Sequence, residues 1–464
     1  MDSARALSDA RPTPFWLEDP GRPEALPALV GDTTCDLLVV GGGYSGLWTA
    51  LIAKERDPSL DVVLVEGNEV GWAASGRNGG FCAASLTHGF GNGLQRWPGE
   101  LAELERQGAA NLQAIEDTLK RYGIDAEWER TGEIDVATQP HQLAELHEIA
   151  EAVAAHGLEL TVLDADALRA EVDSPTFLGG VWDKEGVAMV HPAKLAWGLK
   201  QACLGQGVRI FERTKATALA EHGGGMAVRT PYGRVFARRV ALGTNVFPSL
   251  VKRVRPFVVP VYDYALMTEP LSAEQLASIG WRGRQGLGDS ANKFHYFRLS
   301  ADNRILWGGY DAVYPYGGKV REEYDQRPET FRTLSANFFR CFPQLEGLRF
   351  THAWGGAIDT CTRFSAFFDT AYQGRVAYAA GYTGLGVGAT RYGAEVMLDL
   401  LAGERTERTS LEMVRSKPLP FPPEPVRWAG IEMTKWSLDR ADRNGGRRNL
   451  WLRTLDRLGL GFDS

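Results

Sequence analysis

Gly41, Gly43 and Gly46 stand at the spacing of a phosphate-binding turn, and Glu66 follows twenty positions after the last of them. Each glycine has a mechanical task there. Gly41 permits a tight turn, Gly43 lets the main chain approach a pyrophosphate, and Gly46 lets a helix lie close to a strand. Tyr44 and Ser45 complete the turn, and the free N–H groups and positive end of the following helix face the phosphates. Glu66 offers a carboxylate to ribose hydroxyls. These residues work only if the flanking elements hold them. Residues 37–40 are an apolar run long enough for a buried strand, 47–54 have a helical pattern, and 62–65 are a second apolar run ending in the acid. Strand, turn, helix, strand and acid in register predict a dinucleotide site, whereas a glycine-rich turn of another kind would lack the acid-ended second strand.

Residues 67–80 read GNEVGWAASGRNGG, small and glycine-rich, with Arg77 as the single cation. A nicotinamide site has no need of a second flexible loop after the acidic strand. A flavin site does, because main chain must pass the pyrophosphate and lie along the ring edge. In this stretch the chain resembles the D-amino-acid-oxidase-like family of FAD enzymes, the group that includes glycine oxidase, sarcosine oxidase and γ-glutamylputrescine oxidase. The resemblance implies that Ala74, Ser75, Gly76, Arg77, Asn78, Gly79 and Gly80 wrap the cofactor, that main chain at Ala216 meets the adenine, and that Gly243 closes a turn beside it. It implies an α/β protein, α+β overall, with a Rossmann-like FAD-binding domain and an antiparallel-sheet substrate domain.

A second glycine-rich strand-to-helix junction runs from Gly381 to Gly388. By the resemblance, Gly384, Leu385, Gly386 and Val387 present a helix start to the flavin, where a reduced flavin carries negative charge. No acid lies within the junction, which argues against a hydroxylase. The family removes hydride from a carbon bearing an amine, and that amine reacts neutral. A primary amine titrates near 10, so its neutral form costs about 4 kcal/mol at pH 7. An aromatic pocket lowers that cost and a nearby carboxylate raises it. The expected site is therefore aromatic, with Tyr264, Tyr296 and Tyr382 as its rings, and free of ionised carboxylates beside the amine. Arg298, on the same strand face as Tyr296, and Arg363 are the candidates to grip a substrate carboxylate. His88 is a candidate proton carrier and substrate contact. A structural ion pair or plain packing is the competing reading for each.

The 464 residues exceed one small core, and the net charge of −7 speaks against nucleic acid as main partner. Five scattered cysteines without a CxxC pair argue against a disulfide framework, a metal site or a redox-active pair, and fit a cytoplasmic protein. No membrane span is expected. Residues 1–34 form a proline-rich extended leader stapled by Phe15, Trp16 and Leu17. Residues 35–110, 185–260 and 350–415 form a discontinuous FAD-binding domain, and 111–184 with 261–349 the substrate domain. A helical tail, 416–464, is docked on the body. Residues 81–97 read as loop and 215–219 as strand. The expected partners are non-covalent FAD, a small amine or amino acid, and O₂ or another electron acceptor. The alternatives are an FAD-dependent dehydrogenase or monooxygenase of another substrate class, and a non-catalytic flavoprotein subunit.

Overall fold

The computed structural model describes residues 3–461; residues 1–2 of the leader and 462–464 of the tail lie outside it. The strand Thr33–Val40 is the centre of the first sheet. It pairs in parallel with Val62–Val65 on one side and Gly233–Leu242 on the other, and Arg209–Phe211 and Val376–Ala380 extend the parallel array. All four residues of Val62–Val65 and all five of Val376–Ala380 are buried, as strands covered on both faces require. Gly233–Leu242 divides its second edge. Its first half pairs antiparallel with Gly225–Thr230, and its second half pairs in parallel with Val376–Ala380.

The helices Tyr44–Arg56 and Gly386–Ala402 pack on this sheet and against each other. Gly46 explains the close approach of the first. A Cβ there would lie 1.9 Å from the Gly41 carbonyl oxygen, so no other residue fits without moving the turn. Gly41 itself has φ +113°, a left-handed conformation that disfavours a side chain.

The second sheet has eight strands in the order Phe350–Thr360, Val259–Thr268, Ile305–Gly309, His295–Leu299, Gly286–Asp289, Glu133–Ala137, Gly179–Asp183 and Thr161–Asp164. It is antiparallel as expected, apart from the parallel pair Gly286–Asp289 and Glu133–Ala137. That pair joins two chain segments far apart in sequence, where no hairpin dictates direction. Trp281, Phe297, Trp307, Phe338 and Phe342 fill the core behind this sheet.

The residues read as loop at 81–97 instead hold a strand, Phe81–Ala83, and a helix, Phe90–Arg96. Both exist through tertiary partners: the strand pairs with Val187–Met189, and Asn92 donates from the helix to the carbonyls of Thr87 and Arg363. The strand expected from residue 215 begins at Ala218. The leader is anchored by Trp16, which is fully buried and donates its indole N–H to the Asn78 carbonyl at 2.9 Å. It also contains the short helix Ser3–Ala6, ahead of the first proline, Pro12, where the extended reading does not hold. In the tail, Val426–Arg443 and Leu450–Arg457 are helical. Among the described residues, no helix is long and apolar enough to cross a membrane.

Candidate active site

A cavity of about 2290 Å³ opens where the parallel strands of the first sheet end and the face of the second begins. Small-molecule pockets run to about 1,000 Å³, so this one has room for a dinucleotide and a second molecule together. Gly41, Gly43, Tyr44, Ser45, Glu66, Ala74, Ser75, Arg77, Asn78, Gly79, Gly80, Ala216, Gly243, Gly384, Leu385, Gly386 and Val387 all line it. Gly46 and Gly76 do not. They stand behind the wall: a Cβ on Gly76 would meet the Gly71 carbonyl oxygen at 2.2 Å.

The turn is built as its glycines require. Glu66 Oε2 accepts from the Gly42 N–H at 2.6 Å, while Oε1 accepts from the Asn68 N–H and the Trp72 indole. Burial raises the Glu66 pKa and these donors oppose it. Glu66 thus fixes the turn as well as facing the cavity. Ser75 Oγ accepts from the Tyr44 N–H at 3.0 Å, tying the second loop to the start of the first helix. Asn78 Oδ1 accepts from the Gly80 N–H, and Trp354 donates to the Arg77 carbonyl. Arg77 pairs with Asp325 at 2.6 Å and braces this loop against the second sheet.

Two of the helices that reach the cavity start beside the glycine junctions, at Gly43 and Leu385, without a side-chain cap from those residues. The Tyr44 N–H is held by Ser75, and the other first-turn N–H groups and the positive dipole ends suit a pyrophosphate and a developing negative charge. The acid absent from the second junction arrives through space. Asp359, at the end of Phe350–Thr360, accepts from the Gly381 N–H at 2.7 Å, and burial pushes its carboxyl up to about 7. Sequence spacing gave no sign of it, because strand and junction are neighbours only in the fold.

The substrate-side residues fall out differently. Arg298 is 1% exposed, and its guanidinium donates to the carbonyls of Gly80, Val190 and Leu299. It does share the sheet face of Tyr296, but the Gly80 loop lies over it. Arg363, 4% exposed, donates to the carbonyls of Ser365, Ala366 and Ser416. Neither guanidinium lines the cavity, and the carboxylate clamp is corrected accordingly: both arginines hold main chain together. Tyr382 lines the cavity, yet its hydroxyl sits 3.4 Å from Ser45 Oγ between the two helices, a joint and not a reacting group. Tyr264 touches the cavity, but its hydroxyl donates to the Tyr324 carbonyl and its ring meets Phe331 edge-on in the core. His88 lines the cavity at φ +65°, and burial lowers its pKa to about 4, so it is neutral at pH 7.

Tyr296 remains, with a partner that the sequence did not suggest. Its hydroxyl donates to Asp263 Oδ2 at 2.6 Å, and both residues line the cavity. The cavity also carries Glu133, Asp135 and Asp183 on adjacent strands. Asp135 is exposed and the other two are half-buried; partial loss of solvent and mutual repulsion raise Glu133 well above its usual value and Asp135 to about 6. The cavity thus carries carboxyl groups that an aromatic pocket with a cationic end did not lead one to expect, beside cations that include Arg130, Lys215 and Lys293. The acids were missed because alternation on a strand decides which residues face the cavity: Asp263 does, while its neighbours Tyr262 and Tyr264 pack into the core. The carboxylates of Asp19 and Glu127 converge with the His191 imidazole within 4.8 Å, but the Lys194 ammonium already lies 2.6 Å from Glu127 and 3.5 Å from Asp19.

Residues 36–400 match the family described as DAO, FAD dependent oxidoreductase. The chain belongs to this family. FAD is the cofactor of this oxidoreductase, and the helix starts at Gly43 and Leu385, the glycine turn and Glu66 form a cradle that fits it. The family member Gamma-glutamylputrescine oxidoreductase of Escherichia coli (strain K12) is 34% identical over 388 residues, 80% of this chain and 84% of its own. Glycine oxidase from Geobacillus kaustophilus shares the fold at a TM-score of 0.68 and 18% identity, covering 83% of this chain and 99% of its own. L-amino acid deaminase from Proteus vulgaris shares it at 0.65 and 18%, covering 83% and 94%.

Proposed function

We propose that this FAD dependent oxidoreductase oxidises the C–N bond of an amine or amino acid. The observation that carries the reading is the similarity to Gamma-glutamylputrescine oxidoreductase over 84% of that protein. FAD, when bound, supplies the hydride acceptor. The chain's part is to hold the amine on the face of the second sheet and to shield the reacting carbon from water until the imine forms. In balanced form, a C–H bond breaks as hydride, the nitrogen lone pair forms C=N, and water hydrolyses the imine to a carbonyl compound and a free amine or ammonia. We assign reoxidation to O₂, which takes two electrons and two protons to give H₂O₂, and we place the enzyme in the cytoplasm.

Peroxide release on a panel of amines and amino acids tests this reading. Stoichiometric peroxide and carbonyl product are the expected result. Turnover only with an artificial electron acceptor would replace O₂ by another oxidant. Failure of every amine to reduce the bound flavin under anaerobic conditions would overturn the substrate class.

A further inference from the structure

One row of paired residues crosses the cavity face of the second sheet: Ala265, Gly308, Tyr296, Gly288 and Asp135 stand opposite one another on successive strands. Paired residues point to the same face, so all five share the cavity side. Gly308 has no side chain, and the Tyr296 ring lies across the space. A Cβ on Gly308 would meet Tyr296 Cζ at 2.4 Å and its hydroxyl oxygen at 2.5 Å. Gly79 presses from the opposite side, where a Cβ would meet Tyr296 Cε2 at 2.7 Å. Two glycines on different elements thus fix one ring.

That ring carries its hydroxyl over Gly308, past the Ile305–Gly309 strand, to Asp263 on Val259–Thr268. Asp263 also accepts main-chain donors from Tyr264 and Gly309. Its hydrogen bonds are thereby supplied by neutral groups, and among the described residues no cationic side chain pairs with it. Of the acids near this end of the cavity two are matched, whereas Glu133, Asp135 and Asp183 on the far strands also have no cationic partner among the described residues but are not held by a fixed tyrosine. Asp325 has Arg77, and Asp311 has Lys293 and Arg327 within ion-pair distance. A carboxylate turned into a cavity, oriented by a fixed tyrosine and left without a counter-ion is completed by a cation.

We propose that Asp263, oriented by Tyr296, anchors the cationic nitrogen of the substrate. The inference rests on the amine-oxidation reading and names the substrate feature that the site recognises: an alkylammonium. Asp263 stays an acceptor throughout; it stabilises the ammonium on arrival, and the proton that must leave before oxidation passes to water. Asp263 is ionised above about 6, where burial has raised it, so the anchor is present at neutral pH and fades in acid.

The test uses the FAD-loaded enzyme and tert-butylammonium, whose nitrogen-bearing carbon has no hydrogen and which cannot be oxidised. Calorimetric titration gives its Kd for the parent, Asp263→Asn and Tyr296→Phe, with tert-butanol as the neutral control and flavin absorbance as the measure of intact folding. The expected result is at least a tenfold weaker Kd in Asp263→Asn, a smaller loss in Tyr296→Phe, and no change for the alcohol. Equal ammonium binding by parent and Asp263→Asn, or no saturable binding by the parent, overturns the anchor. The two readings fail separately. If ammonium binding depends on Asp263 but no amine reduces the flavin, the anchor stands and amine oxidation falls. If amines turn over equally in parent and Asp263→Asn, the reverse holds.

Discussion

Glu66 serves two ends with one carboxylate, and its replacement separates them. Glu66→Ala removes the acceptor facing the cavity and leaves the Gly42 N–H and Trp72 indole without their partner. Losses of this kind cost about 1–3 kcal/mol, or about five- to 150-fold in FAD affinity. Glu66→Gln keeps one acceptor and should lose less. Reconstitution of FAD-free protein, followed by flavin fluorescence, checks both; an unchanged Kd in Glu66→Ala would remove Glu66 from the cofactor site. Gly46→Ala should do worse, since its methyl has nowhere to go beside the Gly41 carbonyl. We expect protein that neither binds FAD nor stays soluble, read from expression yield and colour. At this scale the glycines were legible in the sequence because their function is local. The arginines were not. Arg298 lies on the face that strand alternation assigns it, but only the fold reveals that the loop at Gly80 lands on top of it.

Elements carry a different kind of information, and Asp359 belongs here because it joins two of them. Its carboxylate holds the turn at Gly381 from a neighbouring strand, and burial lifts its pKa from the ordinary 3.8 to about 7. The folded protein therefore binds this proton more tightly than the unfolded chain. This group makes stability fall as pH rises from about 4 to 7, with the cost fully present above that range. Asp359→Asn keeps an acceptor for the Gly381 N–H and removes the buried charge. The FAD-free variant should melt higher than the parent at pH 8, by about 1–3 kcal/mol, and the gap should close near pH 4. A gap that ignores pH would show that burial of this charge is not the cause. The helices and strands around both glycine junctions were legible from apolar runs and turn residues. The short strand Phe81–Ala83 and the helix Phe90–Arg96 were not, because each depends on a partner distant in sequence.

For the whole molecule, cofactor and stability are one quantity. The cradle belongs to the folded state, so FAD at a hundredfold excess over its Kd should add about 2.7 kcal/mol. Thermal melts with and without added FAD measure this; equal melting points would contradict the cradle. Acid precipitation should leave a white pellet and a yellow supernatant. Colour in the pellet would instead mean a covalent link, and Cys361 is the cysteine that lines the cavity. The tail also reads differently at this scale. Expected merely to dock, it contributes Ile431, Thr434, Leu438 and Trp451 to the cavity wall, a role that a pattern of helical spacing cannot reveal.

The divided edge of the strand Gly233–Leu242 has a consequence for how the protein is made. Residues 37–43 and 62–66 leave the ribosome early, carrying the pyrophosphate turn and the ribose acid. The strand that completes the parallel array, Val376–Ala380, and the helix start at Gly386 emerge only after most of the chain has been synthesised. The parallel array must wait, with the edge of Gly233–Leu242 unpaired at residues 240–242, for a segment more than 130 residues further along the chain. Such long-range pairing is slow and leaves strand edges open to aggregation in the interval. Overproduction that outruns the flavin supply should therefore yield inclusion bodies, and riboflavin added to the growth medium should shift protein into the soluble fraction.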